Sequence, residues 1–149
     1  MRILELSKCP EFLNTIVDWN LKEWPKPDRS RGDVKARIFG SGTEDQLPQT
    51  LVLEENDEAI GYATMILYEK GRPMGQLHWI DAVFIKPEKR KKGLASQLIV
   101  AAEKKAATLG ILELFALTDI PLLYQKLGWA LCETRVENVA GTIVCRKLY

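Results

Sequence analysis

At 149 residues, with 46% apolar and 28% charged residues, the chain has the size and composition of one ordinary globular domain over 1–149. Its 21 basic and 20 acidic residues leave a net charge of +1, so nothing in the bulk charge argues for electrostatic attraction to nucleic acid, and no nucleic-acid partner is expected. A basic run at 89–92 is therefore a placed feature on a balanced background; read alone, it is a solvated loop.

Residues 2–6 alternate apolar and charged side chains, as a first strand would. Over 10–24, Phe12, Leu13, Ile16, Val17, Trp19 or Asn20, and Leu21 recur at helical spacing, until Pro25 and Pro27 stop the helix. A second short helix is predicted over about 30–39, ended by Gly40-Ser41-Gly42, with a polar, mobile loop across 41–49. Residues 51–54 and 59–67 read as two strands joined by an acidic turn at 55–58. Gly71, Pro73 and Gly75 mark the next turn. Residues 77–85 are apolar on both alternating faces apart from His78 and Asp81, the pattern of a central strand covered on both sides, and Pro87 ends it.

Leu94, Leu98, Ala102, Ala106 and Leu109 fall on one face of a helix, with Glu103, Lys104 and Lys105 on its wet side and Gly110 as its C-terminal cap. Residues 111–117 form another buried strand, so 77–117 is a right-handed strand–helix–strand crossover and its two strands are parallel. Pro121 opens a short helix to 127, ended by Gly128. Strands over about 130–137 and 142–148, around a turn at 138–141, complete the pattern. Cys9, Cys132 and Cys145 have neither a disulfide framework nor zinc-ligand spacing. Residues 1–8 are too short and too charged for a signal peptide, and no apolar run reaches membrane-spanning length. The expectation is a cytoplasmic protein with reduced thiols, no metal and no membrane partner.

The most informative stretch runs Val83-Phe84-Ile85-Lys86-Pro87-Glu88-Lys89-Arg90-Lys91-Lys92-Gly93-Leu94-Ala95. A buried strand enters a basic turn that opens a long helix with small residues at its start. Helix starts expose unpaired N–H groups and the positive end of the macrodipole, so such a turn can hold a pyrophosphate. A phosphate-binding NTPase loop needs GxxxxGK[ST], and a dinucleotide fold needs GxGxxG; neither is present.

What remains, Arg90-Lys91-Lys92-Gly93-Leu94-Ala95 after a Pro-terminated strand, resembles the signature of the GNAT superfamily of N-acetyltransferases. A second mark follows in order, Leu122-Leu123-Tyr124-Gln125-Lys126-Leu127-Gly128-Trp129. The resemblance implies an α/β (α+β) fold: a mixed, mostly antiparallel central sheet with a splayed parallel strand pair and helices on both faces. It implies acetyl-CoA as co-substrate, its pantetheine arm paired like an added strand with the backbone of Val83, Phe84 and Ile85. Its pyrophosphate would lie on N–H groups of Lys91, Lys92, Gly93, Leu94, Ala95 and Ser96, with Arg90 and the lysines screening charge. Acetyl would pass by direct attack to a primary amine, on a small molecule or a peptide.

Such a transfer needs a neutral amine and a proton for the departing thiolate. Tyr124 matches the family's proton-donor position; the competing reading is a core residue whose hydroxyl reaches the surface. Asp81 is the candidate base, directly or through water. Alternation places it on the face of Trp79 and Val83, opposite His78, and burial would raise its pKa. The competing reading is a structural carboxylate. Trp24 and Trp79 are the candidates on the acceptor side, against an ordinary core role for each. Asp119 lies near a family position that faces the cofactor. The alternative function is a non-catalytic acyl-CoA-binding regulatory module, and the assembly is a monomer or homodimer.

Overall fold

A computed structural model describes residues 1–40, 46–68, 77–132 and 141–149. The strands are β1 (Arg2–Glu5), β2 (Gln49–Glu55), β3 (Glu58–Tyr68), β4 (Leu77–Ile85), β5 (Glu113–Thr118), β6 (Ala130–Leu131) and β7 (Thr142–Lys147). The helices are α1 (Leu13–Glu23), α2 (Arg31–Phe39), α3 (Leu94–Thr108) and α4 (Pro121–Lys126). Residues 41–45 of the loop predicted over 41–49, the turn at 71–75, the strand continuation over 133–137 and residues 138–140 of the predicted turn at 138–141 lie outside the described residues.

The sheet runs β1-β2-β3-β4-β5-β7-β6, antiparallel throughout except for β4 and β5. β2 and β3 meet in the acidic turn, where Asn56 and Asp57 both adopt positive φ (52° and 64°), the conformation a two-residue hairpin turn requires. β4 is the middle strand, so its two faces are both covered.

One face carries α3 and α4. Leu94, Leu98, Ile99, Ala102 and Ala106 pack there on Leu51, Leu53, Ile60, Met65, Ile80 and Ile85. Each large side chain fully buried this way contributes about 1.5–3 kcal/mol, which fixes the start of α3 against the end of β4. The other face carries α1 and α2, with Ile16, Val17, Val34 and Ile38 packed on Val52, Tyr62, Ala82 and Phe84. Ser30 caps α2 reciprocally with Asp33, at 3.0 Å in each direction.

The wet side assigned to α3 needs correction. Only Lys104 of the three residues is exposed. Glu103 accepts a hydrogen bond from Trp129 Nε1 (2.7 Å) and pairs with Arg146 (3.1 Å), and burial still pushes its carboxyl above the ordinary value. Lys105 pairs with Glu5. The helix is clasped on both flanks, by the α4–β7 side and by the end of β1, and a helical period cannot register neighbours from distant sequence. No helix among the described residues is long and apolar enough to cross a membrane.

Candidate active site

The parallel pair makes the site. β4 and β5 pair at Trp79↔Phe115 and Ile80↔Ala116 and nowhere beyond, while β5 continues on β7 from Glu113 to Thr118. The cause lies in β4. Across from it, Thr64 pairs with Ala82 and Met65 with Ile80, which leaves Asp81 as the extra residue of a β-bulge. A bulge bends its strand and sharpens its twist, so β4 turns from β5 just where pairing stops. The splay opens a gap with unpaired β4 backbone along one side.

The bulge also reverses the alternation. Ile80, Val83 and Ile85 pack toward α3, whereas Ala82 and Phe84 face α1 and α2. The expectation that Asp81 shares a face with both Trp79 and Val83 is corrected: Asp81 and Trp79 line one cavity, and Val83 lines another.

The second of these, about 440 Å³, follows the gap. Val83, Phe84 and Ile85 form one wall, the turn and first residues of α3 form the floor, and Asp119, Ile120 and Leu123 stand opposite. Lys91 and Gly93 adopt left-handed φ values of 66° and 75° on either side of Lys92. That geometry turns successive N–H groups toward one point. The first turn of α3 has no side-chain cap and no acidic residue, and its first backbone bond is from Gln97 N to the Gly93 carbonyl (3.3 Å). The N–H groups of Leu94, Ala95 and Ser96 are therefore left for a ligand. A Cβ built on Gly93 would meet nothing within 4 Å, so the backbone faces open space. These residues fit a diphosphate.

The basic run divides. Arg90 folds back along β4: its Nε donates to the Ile85 carbonyl (2.7 Å), its guanidinium lies 5.4 Å from the Phe84 ring centroid, and Nη2 is 4.0 Å from Glu23. Lys89 pairs with Glu55 at 3.0 Å. Lys91 lines the cavity, whereas Lys92 is exposed on the turn outside it.

The first cavity, about 300 Å³, lies on the α1/α2 side of β4. Trp24, at the end of α1 and 36% exposed, lines both cavities; it is not a core residue. Trp79, a core residue that also borders the cavity, is 2% exposed, and its ring lies tilted against Phe115 (5.5 Å, 42°). The Asp81 carboxylate is half of a pair, with a side-chain partner that the sequence did not point to. Arg37 of α2 donates Nε to Oδ2 and Nη2 to Oδ1, both at 2.6 Å, and the Asp81 side chain is 19% exposed. Two of the carboxylate's lone pairs are taken, and two remain for a ligand.

Asn20 reaches the same cavity from α1, donating Nδ2 to the Tyr62 hydroxyl at 2.9 Å. Burial pushes the Tyr62 phenol far above its ordinary value, so it stays neutral. His78 lines neither cavity, and burial lowers its pKa. Tyr124 lies in α4 beside Leu123; its ring is buried edge-on against Trp129 (5.0 Å, 75°), and its hydroxyl has no hydrogen-bond partner among the described residues. Burial pushes that phenol up to about 12.

Sequence reasoning overlooked Arg37, Lys26, Arg29 and the functional placement of Asn20. Asn20 alone left a signal, as a polar residue on the apolar stripe of Ile16 and Val17. Chemically, the two cavities offer an anion site at a helix start, a strand edge for an extended ligand, and a polar chamber beyond Trp24.

A family model described as the acetyltransferase (GNAT) family matches residues 13–129. Among solved structures, an aminoglycoside 6′-N-acetyltransferase complexed with coenzyme A aligns at a TM-score of 0.77 and 16% identity, over 100% of this chain and 98% of that one. The PaiA N-acetyltransferase of Thermoplasma acidophilum, in complex with coenzyme A, aligns at 0.69 and 19% identity, over 99% of each chain. N-acetylglutamate synthase from Neisseria gonorrhoeae, complexed with coenzyme A and N-acetyl-glutamate, aligns at 0.68 and 16% identity over 100% of this chain. The chain spans only 36% of that protein's length. At these identities the likeness is one of fold. No sequence among the curated proteins matches the chain.

Proposed function

The chain belongs to the acetyltransferase (GNAT) family, and from that membership we propose that it moves acetyl from acetyl-CoA to a primary amine by direct attack. The observation that carries this reading is a pair of cavities that share Trp24 in their linings, one including the open start of α3 and the other Asp81. When bound, acetyl-CoA supplies the activated thioester. The chain's residues do the rest.

N–H groups from Lys91 to Ser96, excluding none by a capping side chain, hold the diphosphate. Backbone groups along Val83, Phe84 and Ile85 that β5 leaves unpaired take the pantetheine amides in the manner of an added strand, the Ile85 carbonyl already holding Arg90. Trp24 shields the junction from water. Asp81, fixed by Arg37, accepts a hydrogen bond from the incoming amine and takes its proton, directly or through water. Tyr124, kept as the neutral phenol by burial, donates its hydroxyl toward the departing sulfur.

The test is a substitution at the anion site, read by release of free thiol. Gly93→Val forces a β-branched residue into left-handed φ, costing about 1–2 kcal/mol, and places methyl groups where the diphosphate lies. KM for acetyl-CoA is expected to rise at least about tenfold in material whose circular dichroism matches wild type. An unchanged KM removes the turn at Gly93 from cofactor binding.

A further inference from the structure

We propose that the amine acceptor carries an anionic group, a carboxylate or phosphate, close to the nitrogen that is acetylated. The inference rests on the acetyltransferase reading and concerns the cavity beyond Trp24. Among the described residues, three cations line it, Lys26, Arg29 and Arg37, against the single carboxylate of Asp81. Arg37 is consumed in the bidentate pair with Asp81. Lys26 and Arg29 form no ion pair among the described residues, so two positive charges are in excess. Glu23 is not among the lining residues of this chamber; it lines the other cavity 4.0 Å from Arg90, and its charge reaches the chamber only at the Tyr62 hydroxyl, weakly beside that of Asp81.

Two buried polar atoms here lack partners. Arg29 donates Nη2 to the Trp24 carbonyl at 2.6 Å, yet its Nε is buried and unbonded. Asn20 is 5% exposed, and its Oδ1 is likewise buried and unbonded while Nδ2 holds Tyr62. An unmet donor and an unmet acceptor in one chamber ask for a ligand with both kinds of group. Oδ1 of Asn20 and the spare lone pairs of Asp81 suit amine hydrogens; Nε of Arg29 and the ammonium of Lys26 suit an anion. A polyamine or an aminoglycoside brings further cations into a chamber that already holds two in excess.

Two sources share this chemistry: a free amino acid, and the acidic first residue of a peptide. Thiol-release kinetics at saturating acetyl-CoA separate them, using glutamate and aspartate, a peptide beginning Asp-Glu with its C-terminus amidated, the uncharged glutamine amide, spermidine and kanamycin. An anionic arm is expected to exceed the uncharged amide in kcat/KM by at least about tenfold, the cationic amines falling below both. Whichever anionic arm leads identifies the source. Arg29→Gln and, independently, the exposed-site Lys26→Gln should each raise KM for that acceptor about three- to tenfold with KM for acetyl-CoA unchanged. Preference for neutral or polycationic amines, or an anionic preference that survives both substitutions, overturns the proposal and leaves the acetyltransferase standing. No thiol release from any acceptor, together with no calorimetric binding of acetyl-CoA, overturns both.

Discussion

Asp81→Asn is expected to lower kcat for acetyl transfer by about 10²–10³-fold, with KM for acetyl-CoA held within about twofold. The substitution keeps the shape of the side chain and the bulge that presents it. It replaces one oxygen by an NH₂ group that faces the Arg37 guanidinium, donor against donor, where a 2.6 Å charge-assisted bond stood. The chamber then loses the only carboxylate among its described lining residues. The amine keeps no strong acceptor for its proton. Cofactor binding is spared because the residues proposed for it line the other cavity.

Stability falls too, but modestly. With Arg37 at 35% and Asp81 at 19% side-chain exposure, water screens the orphaned cation, and the loss is about 1–2 kcal/mol, or a few degrees in Tm. Arg37→Gln probes the same pair from the other side. If the two residues act as a unit, the double variant is no slower than the slower single one. An Asp81→Asn enzyme within about threefold of wild type would remove the carboxylate from the chemistry.

Tyr124→Phe is expected to cut kcat by about 10²-fold at almost no cost in stability. The ring supplies the packing, edge-on to Trp129 at 5.0 Å, and phenylalanine keeps it. The hydroxyl has no protein partner among the described residues, so its removal strands no buried group and changes stability by about 0.5 kcal/mol or less. A hydroxyl that the fold does not use, on the residue proposed to deliver the proton, is the reason for expecting a kinetic effect alone. The pH behaviour sharpens this. Burial raises the phenol to about 12, so its proton-bearing form persists below that value and is lost only above it. An alkaline limb in kcat below about pH 10 therefore arises elsewhere, and it should survive in the variant. A Tyr124→Phe enzyme with wild-type kcat would make Tyr124 a packing residue.

Local signals carried much of this molecule into view from sequence. Pro87 and Gly93 bracket the turn, Pro121 and Gly128 bracket α4, and the apolar period from Leu94 to Ala106 gives α3 its buried face. Each of these depends on φ restrictions or a helical repeat within a few residues. The family signature adds the splayed pair, which the two-position contact of β4 with β5 bears out. The bulge at Asp81 could not be read, because it is a mismatch between two strands rather than a property of either. Its consequences were missed with it: the reversed alternation that separates Asp81 from Val83, and the approach of Arg37 from a helix 44 residues away in sequence. The same limit hid the ties of Glu103 and Lys105 behind an apparently solvated face.

Amide hydrogen exchange with and without acetyl-CoA bears most directly on the account, since it reports on main-chain N–H groups rather than on side chains. Slower exchange should appear in peptides covering 83–85 and 91–96 when acetyl-CoA is added, with little change along the outer face of α3 near Val100 and Lys104. Protection confined to that outer face, or no protection at either segment under saturating acetyl-CoA, would contradict it.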